Sequence, residues 1–572
     1  LNNLVYEQNS QLPVMKKNTR VIVSPEKFDM SNGIKVKRLA LKKRIESNSI
    51  EYKDLDMSAA KAPDKKPVEF ATDKDKMKNE ILQKVCKAFA ETLGIDEKSV
   101  TAESHFIDDL GGDSLQLLSV MLKIEEQFGI RVDEEEYGRC ITANSIADLL
   151  IEKMNGEETN NSDRIVTPIS SFEETEEYKA FVKRNEQLLG SGKKNPYFVC
   201  HESALTDKSL MDGKMVLNFG SYNYVGMSGR KETKEAAKKA IDKYGTSASG
   251  SRLLAGEKKL YQELEKEIAD WKHSEDALVL VGGHSTNVTI VGNFCGKNDL
   301  ILYDALAHNS IAQGCQLSRA ECRAFPHNDM DALENILKMH RSQYEKVLII
   351  VEGAYSMDGD VANVPALVKL KKKYGCFLMV DEAHSACVLG KTGGGVDEYF
   401  HLEQNDIDIK MGTLSKGLGA CGGYLAGKRS LIEYLRYNLP GFVFSVGISP
   451  PLAAACLEAI RLLRNDPSII ERLHENIDTF VNEAHARNMN TCLAGESAII
   501  PILIGGDEEA FMLSNLMSER GVFVPPAVYP AVPRGKARLR FCVNSEHTKD
   551  EIIEALDTLL EICKENGIVL PK

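Results

Sequence analysis

Short apolar runs separated by helix-length segments recur from about residue 215 onward, and this alternation constrains the fold more than any other feature of the sequence. Four of the runs, at residues 277–281, 300–303, 347–351 and 377–380, are bounded by turn-forming or charged residues. Strands that alternate with helices predict a mostly parallel sheet, with ligands bound at the carboxyl ends of its strands. The sequence therefore predicts an α/β domain whose functional residues directly follow its strands.

The residues after these runs suit Schiff-base chemistry. Asp381 directly follows the run at 377–380, and residues 411–419 (MGTLSKGLG) place Lys416 in a small glycine-rich loop. A lysine in such a loop can form a Schiff base when its surroundings lower its pKa. An aspartate at a buried strand end can keep a pyridine nitrogen protonated, and the glycines at 282–283, which precede a helix, suit a phosphate. Each feature is common by itself, but together and in this order they indicate a site for a phosphorylated pyridine cofactor.

A compact helical unit lies upstream of this domain. Residues 76–93 have apolar side chains at helical spacing, the segment FIDDLGGDSL follows at 106–115, and further helices are predicted at 117–128 and 141–151. Ser114 would present a hydroxyl at a helix N-terminus, where unpaired N–H groups favour a phosphate. The two preceding glycines would let a modifying enzyme approach the backbone. This arrangement resembles an acyl carrier protein, with Ser114 as the 4′-phosphopantetheine attachment site; the alternative is a four-helix interaction module with a capping serine.

Polar stretches divide the chain into modules. Residues 51–75 and 156–175 have the composition of linkers, so we expect a carrier domain at 76–155 and the α/β domain at 176–572. Within residues 1–50, the segment SNGIKVKRLALKKR is similar to the closing subdomain of adenylate-forming ligases, which implies an upstream acyl-activating ligase. The alternative for that segment is a solvated basic stretch.

Charge and cysteine content narrow the function classes. The formal net charge of −13 argues against a nucleic-acid partner, and the sequence has no apolar run long enough to span a bilayer. The 13 cysteines are scattered without CxxC spacing, which argues against a disulfide framework or zinc site and favours a cytoplasmic location. No signal peptide opens the chain, and its start at Leu1 in mid-pattern suggests a piece of a longer protein.

Seven ordered motifs in residues 176–568 resemble the α-oxoamine synthases, a family that includes serine palmitoyltransferase and amino-oxononanoate synthase. They are SYNYVGM (221–227), YGTSASGSRLLAG (244–256), DALAHNS (304–310), VEGAYSMDGD (351–360), VDEAHS (380–385), GTLSKGLGACGGYLAG (412–427) and YPAVPRGKARLRF (529–541). The resemblance implies a fold type I, aminotransferase-like domain with a mostly parallel central sheet and a smaller C-terminal α/β subdomain. It also implies pyridoxal 5′-phosphate (PLP) as cofactor and a homodimer.

The resemblance also implies roles for individual residues. Lys416 would hold the cofactor and later move the Cα proton, Asp381 would pair with the pyridine nitrogen, and His384 would hydrogen-bond the ring oxygen. His308 would stack on the ring face and line the substrate site. Four further residues would help to bind the cofactor around its phosphate and ring: Gly283, His284, Ser356 and Thr413.

The amino-acid substrate is less constrained. Arg540 would bind its carboxylate through a forked guanidinium, although Arg538 lies two residues away on the same predicted strand. Tyr222 would line the substrate site where glycine-using members often have asparagine. Tyr261 replaces a frequent histidine, and Ala531 stands where some members have threonine. The substrate therefore stays open among glycine, alanine and serine.

Together the modules predict a decarboxylative condensation of a small amino acid with an acyl thioester carried on Ser114, releasing an α-amino ketone. Two rival interpretations remain at this point. One is another PLP enzyme, an aminotransferase or aldolase, for which the carrier would be idle. The other is a non-catalytic scaffold, against which the combination of Lys416, Asp381 and His384 argues.

Overall fold

The structure is a computed structural model that describes residues 73–155 and 169–572, apart from residues 108, 131, 133–141 and 191–193, together with four short strands within 21–55. The chain divides into two units, Leu1–Glu80 and Ile81–Lys572. In the first unit, β1 (Val21–Val23) pairs with β4 (Lys53–Leu55), and β2 (Met30–Ser31) pairs with β3 (Lys35–Val36). The rest of the predicted ligase tail and linker, up to residue 72, lies outside the described residues.

Three described helices form the carrier region: α1 (Asp73–Leu93), α2 (Ser114–Phe128) and α3 (Ala143–Asn155). They coincide with the three helical runs in the sequence. The stretch in which a fourth carrier helix would lie, residues 133–141, is outside the described part of the chain. Helix α2 begins with a capping box, in which Asp113 accepts a hydrogen bond from the Gln116 amide and the Gln116 side chain accepts one from the Asp113 amide.

Two aromatic rings and a glycine explain how the loop before α2 packs. Phe89 and Phe106 are fully buried and meet edge to face, with ring centroids 4.7 Å apart. A Cβ on Gly112 would lie 2.3 Å from the Phe106 ring, so this glycine is required by packing. Only Gly111, which has φ of +73° and open space beside it, fits the exposed role expected of both glycines.

The larger domain is built on a seven-stranded sheet of order β7-β13-β12-β11-β10-β8-β9, in which only β13 runs antiparallel. Its four predicted strands lie within one residue of the runs found in the sequence. The strands, in chain order, are β5 (Lys208–Met211), β6 (Lys214–Asn218), β7 (Asp276–Leu280), β8 (Leu300–Asp304), β9 (Glu321–Phe325), β10 (Val347–Glu352), β11 (Phe377–Asp381), β12 (Ile409–Thr413), β13 (Gly423–Gly427), β14 (Ile499–Gly505), β15 (Val522–Phe523), β16 (Pro526–Ala527) and β17 (Ala537–Cys542).

The described helices of this domain precede, connect and follow its strands. They are α4 (Glu176–Leu189), α5 (Lys231–Tyr244), α6 (Lys259–Trp271), α7 (Gly283–Phe294), α8 (Asn309–Leu317), α9 (Met330–His340), α10 (Val364–Tyr374), α11 (Val396–Tyr399), α12 (Arg429–Asn438), α13 (Pro440–Val443), α14 (Pro450–Asn465), α15 (Ser468–Ala486), α16 (Asp507–Glu519) and α17 (Lys549–Glu565). Among the described helices, none has the length and apolar character needed to cross a membrane.

Two smaller sheets complete the second unit. Strands β14, β17 and β16 form an antiparallel sheet that contacts α16. Strands β15, β6 and β5 form a mixed sheet, in which β15 runs parallel to β6 and β5 antiparallel to it. The predicted smaller C-terminal α/β subdomain is therefore present. The last residues of the predicted linker at 156–175 have regular structure. Phe172–Glu174 forms a 3₁₀ turn, and Thr175 caps the N-terminus of α4.

Four buried charges lie directly behind the ends of β11 and β12. Lys272 Nζ is 2.7 Å from Glu382 Oε1, and Lys410 Nζ is 3.2 Å from Asp397 Oδ1, with every one of these side chains at most 5% exposed. Lys410 also donates to the carbonyl of Lys272 at 2.8 Å. Buried charges persist only when they are paired and hydrogen-bonded, so this network fixes how the strands and the loop before α11 meet.

A second charged contact joins the ends of β8 and β9 to the loop after β10. His327 Nδ1 is 3.0 Å from Asp304 Oδ1, and His327 Nε2 is 2.9 Å from Asp360 Oδ2. Although burial opposes the charged form, hydrogen bonds to the two carboxylates raise the pKa of His327 to about 10. The imidazolium is therefore charged at neutral pH and clamps the three segments.

We expect His327→Gln to lower the free energy of unfolding by about 3 kcal/mol below about pH 6.5, because it leaves buried carboxylates without their cation. A histidine whose pKa is raised in the folded state stabilises that state fully at pH values below its pKa in the unfolded chain. This stabilisation is lost as the pH rises through the folded-state pKa of about 10. The difference in Tm between wild type and variant, measured by calorimetry, should therefore narrow between these pH values. His485→Gln is the control, since His485 bonds the Thr491 hydroxyl instead of a carboxylate. A constant difference would contradict the charged clamp.

Candidate active site

The carboxyl ends of three neighbouring strands meet at one edge of the central sheet. Glu352 at the end of β10 pairs in register with Asp381 at the end of β11, and Asp381 pairs with Met411 of β12. The loop after β12 contains Lys416, and α7 begins beside it at Gly283. The parallel topology thus gathers the residues that the sequence analysis selected after separate strands.

Lys416 contacts a neutral histidine. Its Nζ lies 2.8 Å from Nε2 of His384, whose Nδ1 lies 2.7 Å from the hydroxyl of Tyr224. Burial, and then the positive charge of Lys416, hold the pKa of His384 well below its usual value. A neutral imidazole can accept from the lysine at one nitrogen and donate to the tyrosine oxygen at the other.

Burial also lowers the pKa of Lys416, to about 8, although the negative charges of Asp381 and Glu352 oppose the shift. The positive charge of Arg540 adds to the lowering. A substantial fraction of Lys416 therefore has a free amine near neutral pH, which is the form that reacts with an aldehyde.

Asp381 is buried and held in place from two sides. Its Oδ1 accepts a hydrogen bond from the Ala383 amide at 2.9 Å, and its Oδ2 accepts one from the Asn287 side chain at 2.6 Å. Asn287 lies one turn into α7 and donates its second amide hydrogen to Ser310 at 3.0 Å. Sequence reasoning missed Asn287, and its position one helical turn after Gly283 was the only available signal.

Glu352 shares the buried floor of the site. It is 2% exposed, and burial followed by the charge of Asp381 raises its pKa well above the usual value. Its Oε1 has no hydrogen-bond partner among the described residues. Glu352 therefore interacts electrostatically with both Asp381 and Lys416.

The start of α7 forms a cradle next to β12. A Cβ on Gly283 would lie 2.7 Å from Thr413 Oγ1, so only glycine fits against that hydroxyl. The Thr413 hydroxyl is also 2.7 Å from that of Ser415. His284 follows on the exposed side, with its ring centroid 6.2 Å from that of His308. Free backbone amides at a helix start, beside two hydroxyls, suit a phosphate group.

His308 caps α8 at the same edge of the sheet. Its Nδ1 lies 2.7 Å from the Ser310 hydroxyl and accepts a hydrogen bond from the Ser310 amide at 3.2 Å. The residue is exposed, and it is close enough to Asp381 and Lys416 for their charges to act on it.

The two arginines of β17 differ in their partners. Arg538 pairs with Asp358 at 2.6 Å, whereas Arg540 donates to the Ser356 carbonyl at 2.6 Å and lies 4.9 Å from the centre of the Tyr222 ring. Within the described part of the chain, no ion pair joins Arg540 to a carboxylate. Buried arginine without a carboxylate partner favours Arg540 over Arg538 as the residue that binds an anionic ligand.

The residues present fit PLP. An anionic oxygen pair at Asp381, an amine at Lys416 and a helix-start cradle at Gly283 match its ring nitrogen, aldehyde and phosphate in chemical type. The buried Oδ1 of Asn287 and Oε1 of Glu352, which have no partner among the described residues, leave polar capacity for a ligand.

Three other predicted positions differ in their surroundings. Tyr261 is buried, donates to the Ile448 carbonyl and lies 5.1 Å below the Arg252 guanidinium, so it is a packing residue of that cluster. Ala531 is exposed and follows the cis Tyr529–Pro530 bond. Ser114 is the first residue of α2, but its side chain lies outside the described part.

Comparisons with known proteins agree with both modules. The phosphopantetheine attachment site family matches residues 83–150, and aminotransferase class I and II matches residues 214–559. The chain is 38% identical over 368 residues to the 8-amino-7-oxononanoate synthase of Symbiobacterium thermophilum, covering 64% of this chain and 93% of that protein.

Solved structures give the same answer for the fold. Sphingomonas wittichii serine palmitoyltransferase matches with 28% identity and a TM-score of 0.67, covering 70% of this chain and all of that one. A structure of serine palmitoyltransferase (SPT) with a PLP internal aldimine matches with 30% identity and a TM-score of 0.66. The match covers 69% of this chain and 99% of that one. The chain therefore belongs to the class I and II aminotransferase family, in its PLP-dependent α-oxoamine synthase branch, and has a phosphopantetheine-binding carrier domain ahead of the catalytic domain.

Proposed function

We propose that this protein condenses a small amino acid with an acyl chain delivered as a thioester on Ser114, with loss of carbon dioxide. The products are an α-amino ketone, carbon dioxide and the free thiol of the carrier arm, which balance the two substrates. The observation that carries the proposal is the contact of Lys416, a lysine of lowered pKa, with His384 beside Asp381, in a chain that also has a carrier domain.

Each residue of the site has a task in this reaction. Bound PLP supplies an electron sink that stabilises negative charge at the amino-acid Cα. Asp381 keeps the pyridine nitrogen protonated, and Asn287 orients its carboxylate. Lys416 would hold the cofactor and then take and return the Cα proton. His384 Nε2, which contacts the Lys416 amine in the structure, would turn to the ring oxygen once that amine holds the cofactor, with the Tyr224 hydroxyl donating to Nδ1.

The remaining residues bind and orient. Gly283, His284, Ser356 and Thr413 support the phosphate and ring, and His308 covers the ring face. Arg540 binds the amino-acid carboxylate, with Tyr222 packed against its guanidinium at 4.9 Å. Glycine, alanine and serine are the candidate amino acids, because the site offers one cation for the carboxylate at Arg540 and a half-exposed aromatic ring at Tyr222.

A second copy of the chain is part of this proposal. Leu254 and Phe444 are 85% and 87% exposed, on two segments joined by a hydrogen bond from the Ser251 hydroxyl to the Val443 carbonyl. Exposed apolar side chains grouped in this way mark a protein interface. A homodimer with shared sites, an upstream acyl-activating ligase and a cytoplasmic location complete the proposal.

The reaction is tested with the full-length protein after its carrier has been loaded with an acyl group. Incubation with glycine, alanine or serine should release carbon dioxide, carrier thiol and α-amino ketone in equal amounts, measured by mass spectrometry and thiol titration. Ser114→Ala should abolish product from carrier loading but retain slower turnover of soluble acyl-CoA, which lacks the carrier surface. A keto acid without release of thiol would instead identify an aminotransferase.

Lys416→Ala should abolish both turnover and the borohydride-reducible adduct between protein and PLP, because it removes the amine that contacts His384. Peptide mapping after reduction identifies the modified lysine. Lys428→Ala, which changes an exposed lysine before α12, should leave the adduct unchanged. Reduced cofactor on any other lysine of the wild-type protein would contradict the assignment.

The rate at which the cofactor-free protein captures PLP should rise with pH and level off above about 8, because only the free amine of Lys416 reacts. Stopped-flow absorbance from neutral to alkaline pH measures this midpoint. A midpoint near 10.5, the ordinary lysine value, would show that burial does not lower the pKa of Lys416.

A further inference from the structure

Helix α2 of the carrier has two apolar faces. Leu117, Val120, Met121 and Ile124 are buried in the carrier's own core. Leu118 and Leu122, one helical turn apart, instead pack against the apolar clusters of the catalytic domain. The cluster that Leu118 contacts includes Ala324 of β9. The cluster that Leu122 contacts includes Ile336 of α9. A carrier domain that made no contact with another domain would need only one apolar face on this helix. The second face therefore indicates a contact outside the carrier.

An ion pair extends the same line of contact. Glu125 follows Leu118 and Leu122 on that face. Its Oε2 lies 3.1 Å from Nη1 of Arg323 in β9. Both side chains are 10% exposed, so the pair is largely shielded from solvent. The Glu125 Oε1 accepts a hydrogen bond from the Val132 amide of the carrier, and Arg323 Nε contacts Glu321 at 2.8 Å. Each partner is thus held in position within its own domain.

A cavity of about 450 Å³ adjoins this pair between α2 and α9. Ser119, Lys123 and Glu126 line it from the carrier, while Asn335 and Met339 line it from the catalytic domain. The contact is therefore partly open and wet, as in a reversible interface rather than a permanent core.

We propose that the β9–α9 edge of the catalytic domain is a docking surface for helix α2 of the carrier, specified by the Glu125–Arg323 pair and flanked by Leu118 and Leu122. This inference rests on the proposed function and adds to it where the carrier binds when it delivers its acyl group. The occupant is the chain's own carrier domain, whose α2 makes these contacts.

The position of the surface explains its use. Strand β9 is the edge of the sheet, four strands from β12, which corresponds to roughly 19 Å across the sheet. Ser114 is eleven residues from Glu125 along α2, about 16 Å. The docking surface is therefore at the edge of the sheet that also carries the Lys416 loop, and the inferred use of the contact is to hold the tethered acyl group on the catalytic domain during transfer.

The test measures single-turnover transfer from the loaded carrier of the full-length protein, relative to turnover of soluble acyl-CoA by the same variant. Arg323→Gln and Glu125→Gln, the latter keeping an oxygen for the Val132 amide, should each lower this ratio by roughly tenfold, the effect of a 1.4 kcal/mol contact. The double variant should be no worse than either single one, because both remove the same pair. Arg319→Gln, an exposed arginine on the same β8–β9 connection, is the matched control and should leave the ratio unchanged.

The second part of the test exchanges the charges of Arg323 and Glu125. Arg323→Glu should lower the ratio further, and combining it with Glu125→Arg should restore most of it. Additive effects in the neutral variants, or no rescue on exchange, would overturn the docking surface while leaving the reaction intact. Absence of product from both donors in the wild type would overturn the proposed function itself, and the two failures are thus distinguishable.

Discussion

The pairing of Lys272 with Glu382 and of Lys410 with Asp397 is the constraint on which the rest of the site depends. Two cations and two anions, all removed from water, can coexist only if each keeps its partner, since an unpaired ion in a protein interior costs several kcal/mol. Glu382 is the residue after Asp381, and Lys410 lies within β12 just before the loop of Lys416. Their pairing fixes the two strand ends that present the reactive groups.

This support separates two kinds of buried lysine. Lys272 and Lys410 have carboxylates within 3.2 Å, whereas Lys416 faces an uncharged imidazole and a nearby arginine. Burial lowers the pKa of Lys416 because the site offers it only distant negative charge. Burial lowers the pKa of Lys410 as well, although the charges of Asp397 and Glu382 oppose that shift. What sets Lys416 apart is that its amine contacts an imidazole instead of a carboxylate.

The sequence predicts much of this arrangement because its information is local. Asp381 and Lys416 follow strands whose apolar runs are easy to recognise, and parallel strands place their ends together. The contacts of Asn287 with Asp381 and of Glu125 with Arg323 join residues 94 and 198 positions apart, which no periodicity encodes. Gly112 is a more local example of a contact that the sequence does not reveal. Glycine is needed there because the Phe106 ring packs against it, whereas the sequence suggested an exposed loop.

The hydrogen bonds of Asn287 have one more consequence. Its amide group donates one hydrogen to Asp381 and the other to the Ser310 oxygen, which leaves the hydrogen of the Ser310 hydroxyl available to His308 Nδ1. The Ser310 amide also donates to that nitrogen, which leaves Nδ1 without a proton in the neutral ring. Ser310 therefore holds neutral His308 in the Nε2–H tautomer, so the group that His308 offers to a ligand is a donor, at the end of a hydrogen-bonded chain that begins at the Asp381 carboxylate.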